Sequence, residues 1–177
     1  ATGGDADATF DAMKRLVTVR GRLERAAISS VGAPIYVDYA HTPDALEAAI
    51  AALRPHVAGR LIVVFGAGGD RDRGKRPEMG RIATDLADRV IVTDDNPRSE
   101  DPAAIRAAVL KGCPEAEEIA DRSAAIRRGV SMLGEGDCLL IAGKGHETGQ
   151  IVNGTTLPFD DREEARKALG EREAAHV

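Results

Sequence analysis

Apolar residues in this chain follow two alternating rhythms: short uninterrupted runs, and stripes spaced three and four apart. The short runs are Ala33 to Val37, Leu61 to Phe65, Val90 to Val92 and Cys138 to Ala142. Runs without polar alternation read as strands covered by helices on both faces. Between them, Leu46, Ile50 and Leu53 behind Thr42-Pro43-Asp44 predict a helix that Pro55 ends. Met79, Ile82, Ala83 and Leu86 predict a helix starting at Pro77. Ile105 and Val109 predict one capped by Ser99 or Asp101 and stopped by Gly112, and Ile126, Val130 and Leu133 predict another between Asp121 and Gly134. Val19 to Ile28 reads as a further strand before a turn at Ser29-Ser30-Val31-Gly32. Gln150 to Val152 and Thr155 to Leu157 flank Asn153-Gly154 as a hairpin. A short amphipathic helix is expected over Asp7 to Val17 and a terminal one from Asp161 to Leu169, with residues 171–177 as a frayed tail. The pattern predicts an α/β fold: a Rossmann-like three-layer sandwich, mostly parallel, with helices on both faces and a C-terminal hairpin.

The four runs share a second property, because each ends in a compact polar cluster. These are Asp38-Tyr39-Ala40-His41, Gly66 to Arg76, Asp94 to Arg98, and Gly143-Lys144-Gly145-His146-Glu147. If the runs are parallel strands, all four clusters lie on the sheet edge where open α/β sheets bind ligands. Gly69 to Lys75 fits the spacing GxxxxGK, but Arg76 and Pro77 stand where a phosphate loop needs a hydroxyl for magnesium. GxGxxG also fails, since Arg71 follows Gly66 and Gly68 where glycine is required. Arg71, Arg73, Lys75 and Arg76 still concentrate positive charge beside glycines, which suits an anion; the same run also reads as a solvated loop balancing Asp70 and Asp72. Asp94-Asp95-Asn96-Pro97-Arg98 combines a carboxylate pair, an amide and a guanidinium, a set suited to a zwitterion. It equally reads as a turn before a helix. Gly143 and Gly145 let backbone amides approach an anion, and Glu147 can accept from an ammonium, whereas His146 alone reads as a structural histidine. Asp38 and His41 face a helix N-terminus and could contact a nucleotide or ribose, although His41 could also neighbour a helix cap.

Composition narrows the field. A chain of 177 residues with net charge −5 suits one α/β domain and disfavours a general nucleic-acid binder, which needs uncompensated cations. Arginine supplies most of the positive charge and pairs well with planar carboxylates and phosphates. Cys113 and Cys138 are too far apart for a CxxC site and fit a reducing cytoplasm. The four histidines and two cysteines show no zinc spacing. No apolar stretch approaches bilayer length and no signal peptide precedes Ala1, so membrane insertion and export are not expected.

Five ordered motifs then coincide: Gly21-Arg22-Leu23-Glu24, Asp38 to Asp44, Gly68 to Pro77, Asp94 to Arg98 and Gly143 to Glu147. Together they resemble the C-terminal domain of the Mur ligase family, from about Val17 to Leu169, and most closely its diaminopimelate-adding branch. The resemblance implies residues 1–17 as the tail of a preceding central domain and 18–170 as the C-terminal domain. It implies an ATP-dependent reaction with Mg2+, in which a peptide carboxylate of a UDP-N-acetylmuramoyl-dipeptide is phosphorylated and the amine of meso-diaminopimelate attacks the acyl phosphate. Arg22, Asp38 and His41 match positions that contact ATP on domain closure. Arg71, Asp95, Asn96, Arg98, Gly143 and Glu147 match the diaminopimelate pocket. The family's phosphate loop, carbamylated lysine and magnesium-holding glutamate lie upstream of this domain, so the chain alone is expected to be inactive, with no metal site of its own, and monomeric. A lysine-adding relative, a folylpolyglutamate-type ligase and a stand-alone binding module are the alternatives.

Overall fold

The computed structural model describes residues 19–175. The helix expected over Asp7 to Val17 lies outside them. Strands β1 (Glu24–Ile28), β2 (Pro34–Asp38), β3 (Leu61–Phe65), β4 (Arg89–Val92), β5 (Glu117–Glu118) and β6 (Cys138–Ala142) form one six-stranded sheet in the order β1-β2-β6-β3-β4-β5. Only β1 runs antiparallel, pairing with β2; every other pair is parallel. Helices α1 (Pro43–Leu53), α2 (Lys75–Leu86), α3 (Pro102–Leu110), α4 (Arg122–Ser131) and α5 (Asp161–Ala174), a 3-10 turn at Arg54–His56 and the hairpin β7 (Gly149–Val152) and β8 (Thr155–Pro158) complete the described chain.

Strand alternation divides the interior into two cores. Leu61, Val63 and Phe65 pack with Leu46 and Ile50 of α1, Met79 of α2 and Ile105 of α3. Ile62 and Val64 face the other way, toward Ile126 and Val130 of α4 and Ala165 and Leu169 of α5. Side chains two apart share a face and neighbours oppose, so a fully buried strand such as β3 serves both layers. The expected three-layer, mostly parallel sandwich is the observed one. No described helix is long and apolar enough to cross a membrane.

Several boundaries differ from the sequence pattern. β1 begins at Glu24 rather than Val19, because Gly21 and Leu23 take positive φ and the Gly21 N–H donates to the Glu24 carboxylate, closing a turn. α2 begins at Lys75, so Pro77 sits inside its first turn instead of opening it. Asp101, not Ser99, caps α3, accepting from the Ala103 N–H. The last helix runs past Leu169 to Ala174, where a frayed tail was expected. Arg172 there donates to the carbonyls of Val130 and Leu133, and Glu173 accepts from Ser30 N–H, so polar residues gain tertiary partners. The two-residue β5 is absent from the sequence pattern, since both its residues are exposed glutamates.

Candidate functional site

The sheet order places β2, β6, β3 and β4 side by side, and each of the four polar clusters follows the C-terminal end of one of them. A cleft of about 590 Å³ opens there, lined by His41, Arg71, Asp95, Asn96, Arg98, Gly143 and Glu147 among others. Thus seven of the nine residues singled out from the sequence meet in one cleft. Arg22 and Asp38 instead line a neighbouring hollow of about 340 Å³ with Leu23, Ala45, Ala48 and Ala49.

Asp38 ends β2 with its carboxylate already engaged: Oδ1 accepts from Ala40 N–H at 2.8 Å and Oδ2 from Leu23 N–H at 2.7 Å. It ties the Gly21–Leu23 turn to the strand end. Tyr39 is the hub beside it. The Arg22 guanidinium lies 4.8 Å from the ring centroid, and the His41 and His146 rings stand 4.5 and 5.1 Å away. His41 Nδ1 also pairs with the Tyr39 carbonyl at 2.8 Å. A cation over an aromatic face is an attractive arrangement and holds Arg22 against Tyr39, which itself lines the cleft.

The arginine-rich loop after β3 is less uniformly cationic than its sequence suggests. Arg71 and Lys75 line the cleft, but Arg76 is buried and pairs through both terminal nitrogens with Glu100. Arg73 reaches the same carboxylate at 3.2 Å. Hydrogen bonds from Arg76, with that from Asp70 N–H, hold Glu100 down at about 2. Lys75 donates to the His41 carbonyl at 2.6 Å, joining this loop to the one after β2. Asp70 takes φ +52° and accepts from both the hydroxyl and the N–H of Ser99. A side chain at Gly69 would put Cβ 1.9 Å from the Pro97 carbonyl, so only glycine lets the two loops pack this closely.

Arg98 itself sits at φ +54° and its NH1 donates to the Gly69 carbonyl at 2.8 Å. Its backbone bridges to the hairpin: Arg98 N–H donates to Ile151 O and Asn153 N–H to Arg98 O. Among the described residues the Arg98 Nε and NH2 have no hydrogen-bond partner. Behind it, Asn96 Nδ2 donates to Glu147 Oε2 at 2.8 Å. Gly143 has φ +120°, and a Cβ there would lie 2.7 Å from Asp95 Oδ2.

Beneath the cleft lies a charged layer that sequence reasoning missed. Arg122 is fully buried and forms a two-pronged pair with Asp161, at 2.7 and 2.8 Å, while also donating to the Ala142 carbonyl. Lys144, equally buried, donates to Asn96 Oδ1 and to the Gly149 carbonyl at 2.8 and 2.7 Å. Burial pushes the Asp95 carboxyl up and the Lys144 ammonium down, and among the described residues Asp95 Oδ1 is a buried oxygen with no hydrogen-bond partner. Lys144 stood inside a recognised motif, yet a lysine in a glycine-rich loop carries no signal that it points inward. Among the described residues no three His, Cys, Asp or Glu side chains group to hold a metal ion.

Residues 21–145 match the family described as Mur ligase, glutamate ligase domain. The chain is 60% identical over 174 residues to the UDP-N-acetylmuramoyl-L-alanyl-D-glutamate–2,6-diaminopimelate ligase of Chelativorans sp. (strain BNC1), covering 98% of this chain and 36% of that one. Against the enzyme of the same name from Zymomonas mobilis subsp. mobilis the identity is 62% over 173 residues, 96% of this chain and 36% of the relative. A solved structure titled with that ligase name superposes with TM-score 0.82 at 43% identity, over 97% of this chain and 36% of the other. The chain therefore spans about a third of the length of these relatives, and it belongs to the Mur ligase family as its glutamate ligase domain.

Proposed function

We propose that this domain is the amino-acid-receiving part of a cytoplasmic, ATP-dependent ligase that adds meso-diaminopimelate to UDP-N-acetylmuramoyl-L-Ala-D-Glu in peptidoglycan synthesis. The observation that carries the reading is the convergence of Arg98, Asn96 and Glu147 on one cleft. Diaminopimelate carries an ammonium and a carboxylate at each end. Glu147 Oε1 is available to accept from an ammonium, and Arg71 and the Arg98 nitrogens that have no partner among the described residues can donate to carboxylates, while Gly143 lets the Asp95 carboxylate pack against its backbone. Lysine lacks the second carboxylate, so a charge-assisted bond to Arg98 distinguishes the two by about 1.5–3 kcal/mol.

In the reaction so read, the pocket holds the free amine toward an acyl phosphate formed on the dipeptide carboxylate. The amine nitrogen bonds to the carbonyl carbon, the carbon–oxygen bond to phosphate breaks, and the amine loses a proton. Orientation of the nucleophile is this domain's contribution. For ATP, the exposed Arg22 and His41 about Tyr39 provide a cation and flat rings at the rim, a set that fits a nucleotide. Asp38 supports them by fixing the turn that bears Arg22. ATP would supply the phosphoryl group that activates the carboxylate. For Mg2+, the described residues offer no grouped ligands, and no step is assigned to a metal held here.

Titration calorimetry of this chain with meso-diaminopimelate and with L-lysine tests the reading. Tighter binding of diaminopimelate by ~10–100-fold is expected from the second carboxylate. Equal affinities, or a preference for lysine, would refute it.

A further inference from the structure

Two donors converge on a single terminal atom of the Asn96 side chain: Lys144 Nζ at 2.8 Å and the Ile151 N–H at 3.0 Å. That atom must be the amide oxygen, because an amide NH2 cannot accept. The other terminal atom, 2.8 Å from Glu147 Oε2, is then the NH2 and donates to the carboxylate. We infer that Lys144 is a positioning residue of the amino-acid pocket, fixing the Asn96 amide and through it the Glu147 carboxylate while itself staying out of the ligand's reach. The inference rests on the function proposed above and deepens it.

Lys144 is 0% exposed and does not line the cleft, whereas Asp95, Asn96 and Glu147 do. Its ammonium has three protons, two of which have hydrogen-bond acceptors. One goes to Asn96 Oδ1 and one to the Gly149 carbonyl, while Asp95 Oδ1 at 3.6 Å and Glu147 Oε2 at 3.5 Å stand at ion-pair distance. Burial draws the ammonium below its usual value, with Asp95, Glu147 and Asp161 opposing this and Arg122 adding to it. A lysine held in this way cannot swing toward a ligand without leaving buried acceptors unpaired, which is costly.

Loss of Lys144 would have two effects. Asn96 would keep only the Ile151 N–H to define its oxygen, and a rotated amide would set that oxygen against the Glu147 carboxylate. Three acidic groups, Asp95, Glu147 and Asp161, would also be left with Arg122 as the buried cation among them. Both effects fall on the group that receives the ligand's ammonium. Neither touches Arg22, Tyr39 or His41.

Steady-state kinetics on the ligase that carries this domain test the inference, using K144M, K144Q, N96A and K144M/N96A with each substrate varied in turn. K144M is expected to raise the KM for diaminopimelate by ~10–100-fold while the KM for ATP stays within about twofold. K144Q keeps a donor for the Asn96 oxygen and should recover part of that loss. If Lys144 acts through Asn96, the K144M penalty shrinks in the N96A background, since residues in one hydrogen-bond network do not act additively. Equal penalties in both backgrounds, a parallel rise in every KM, or failure of both Lys144 variants to fold would each overturn the inference. An unsubstituted ligase that does not saturate with diaminopimelate overturns the substrate reading and this inference together. One that saturates, with K144M indistinguishable from it, overturns this inference alone.

Discussion

Arg98 concentrates the specificity question in one side chain. Its left-handed backbone, the hairpin bridge and the Gly69 carbonyl hold the guanidinium in place before any ligand arrives, so little ordering remains to be done on binding. Replacing it with methionine keeps much of the apolar stem and removes the charge. In the ligase carrying this domain, R98M should lower kcat/KM for diaminopimelate by ~10–100-fold, with lysine turnover little changed or improved. Competition assays with the two amino acids measure this directly, and an unchanged preference would dismiss Arg98 as the discriminating group. The residue types in the Asp94 to Arg98 cluster were legible from the sequence. The division of labour among them was not, because Asp95 lines the cleft while almost wholly buried and its neighbour Asn96 is half of a buried relay.

At the scale of elements, the caps and stripes were read well and the buried ion pairs were not. Thr42, Asp101 and Asp121 cap their helices through side-chain oxygens, as the short polar residues ahead of apolar stripes suggested. Arg122, directly after such a cap, looks like a solvent-facing first-turn residue. It is instead the strut between α4, α5 and the end of β6. Removing one partner of a buried pair strands the other charge, so R122M should destabilise this chain by about 3–5 kcal/mol. Thermal unfolding of R122M beside R122M/D161L checks the cause: the second variant removes the stranded carboxylate and should regain much of the loss. The starts of β1 and α2 differ from the apolar spacing where polar bonds shape the chain: the Gly21 N–H donates to Glu24 in the turn before β1, and the Arg76 side chain in the first turn of α2 donates to the Gly68 carbonyl.

For the molecule as a whole, the loops at the sheet edge are joined by contacts that depend on ionisation. Glu100 gathers Arg76, Arg73 and the Asp70 N–H, and sits at about 2 against an ordinary 4.5. Its folded value is depressed, so its stabilising contribution is complete above about pH 4.5 and disappears as pH falls toward 2. The melting temperature of E100Q should therefore lie below that of the unsubstituted chain at neutral pH, and the gap should close over this acid range. A gap of constant size down to pH 2 would show that another group carries the effect.

The order of apolar runs and stripes along the chain was enough to determine a mostly parallel three-layer sheet, the positions of its helices and the edge where polar clusters gather. Those features follow from local periodicity and from the need to bury both faces of each strand. Tertiary structure alone decided that β6 inserts between β2 and β3, bringing Glu147 beside Asn96, and that Lys144, Arg76 and Arg122 turn inward while Arg71 faces the cleft. A charged residue looks the same in sequence whether solvent or a buried carboxylate receives it. Only partners brought together from distant parts of the chain make the inward choice the one of lower free energy.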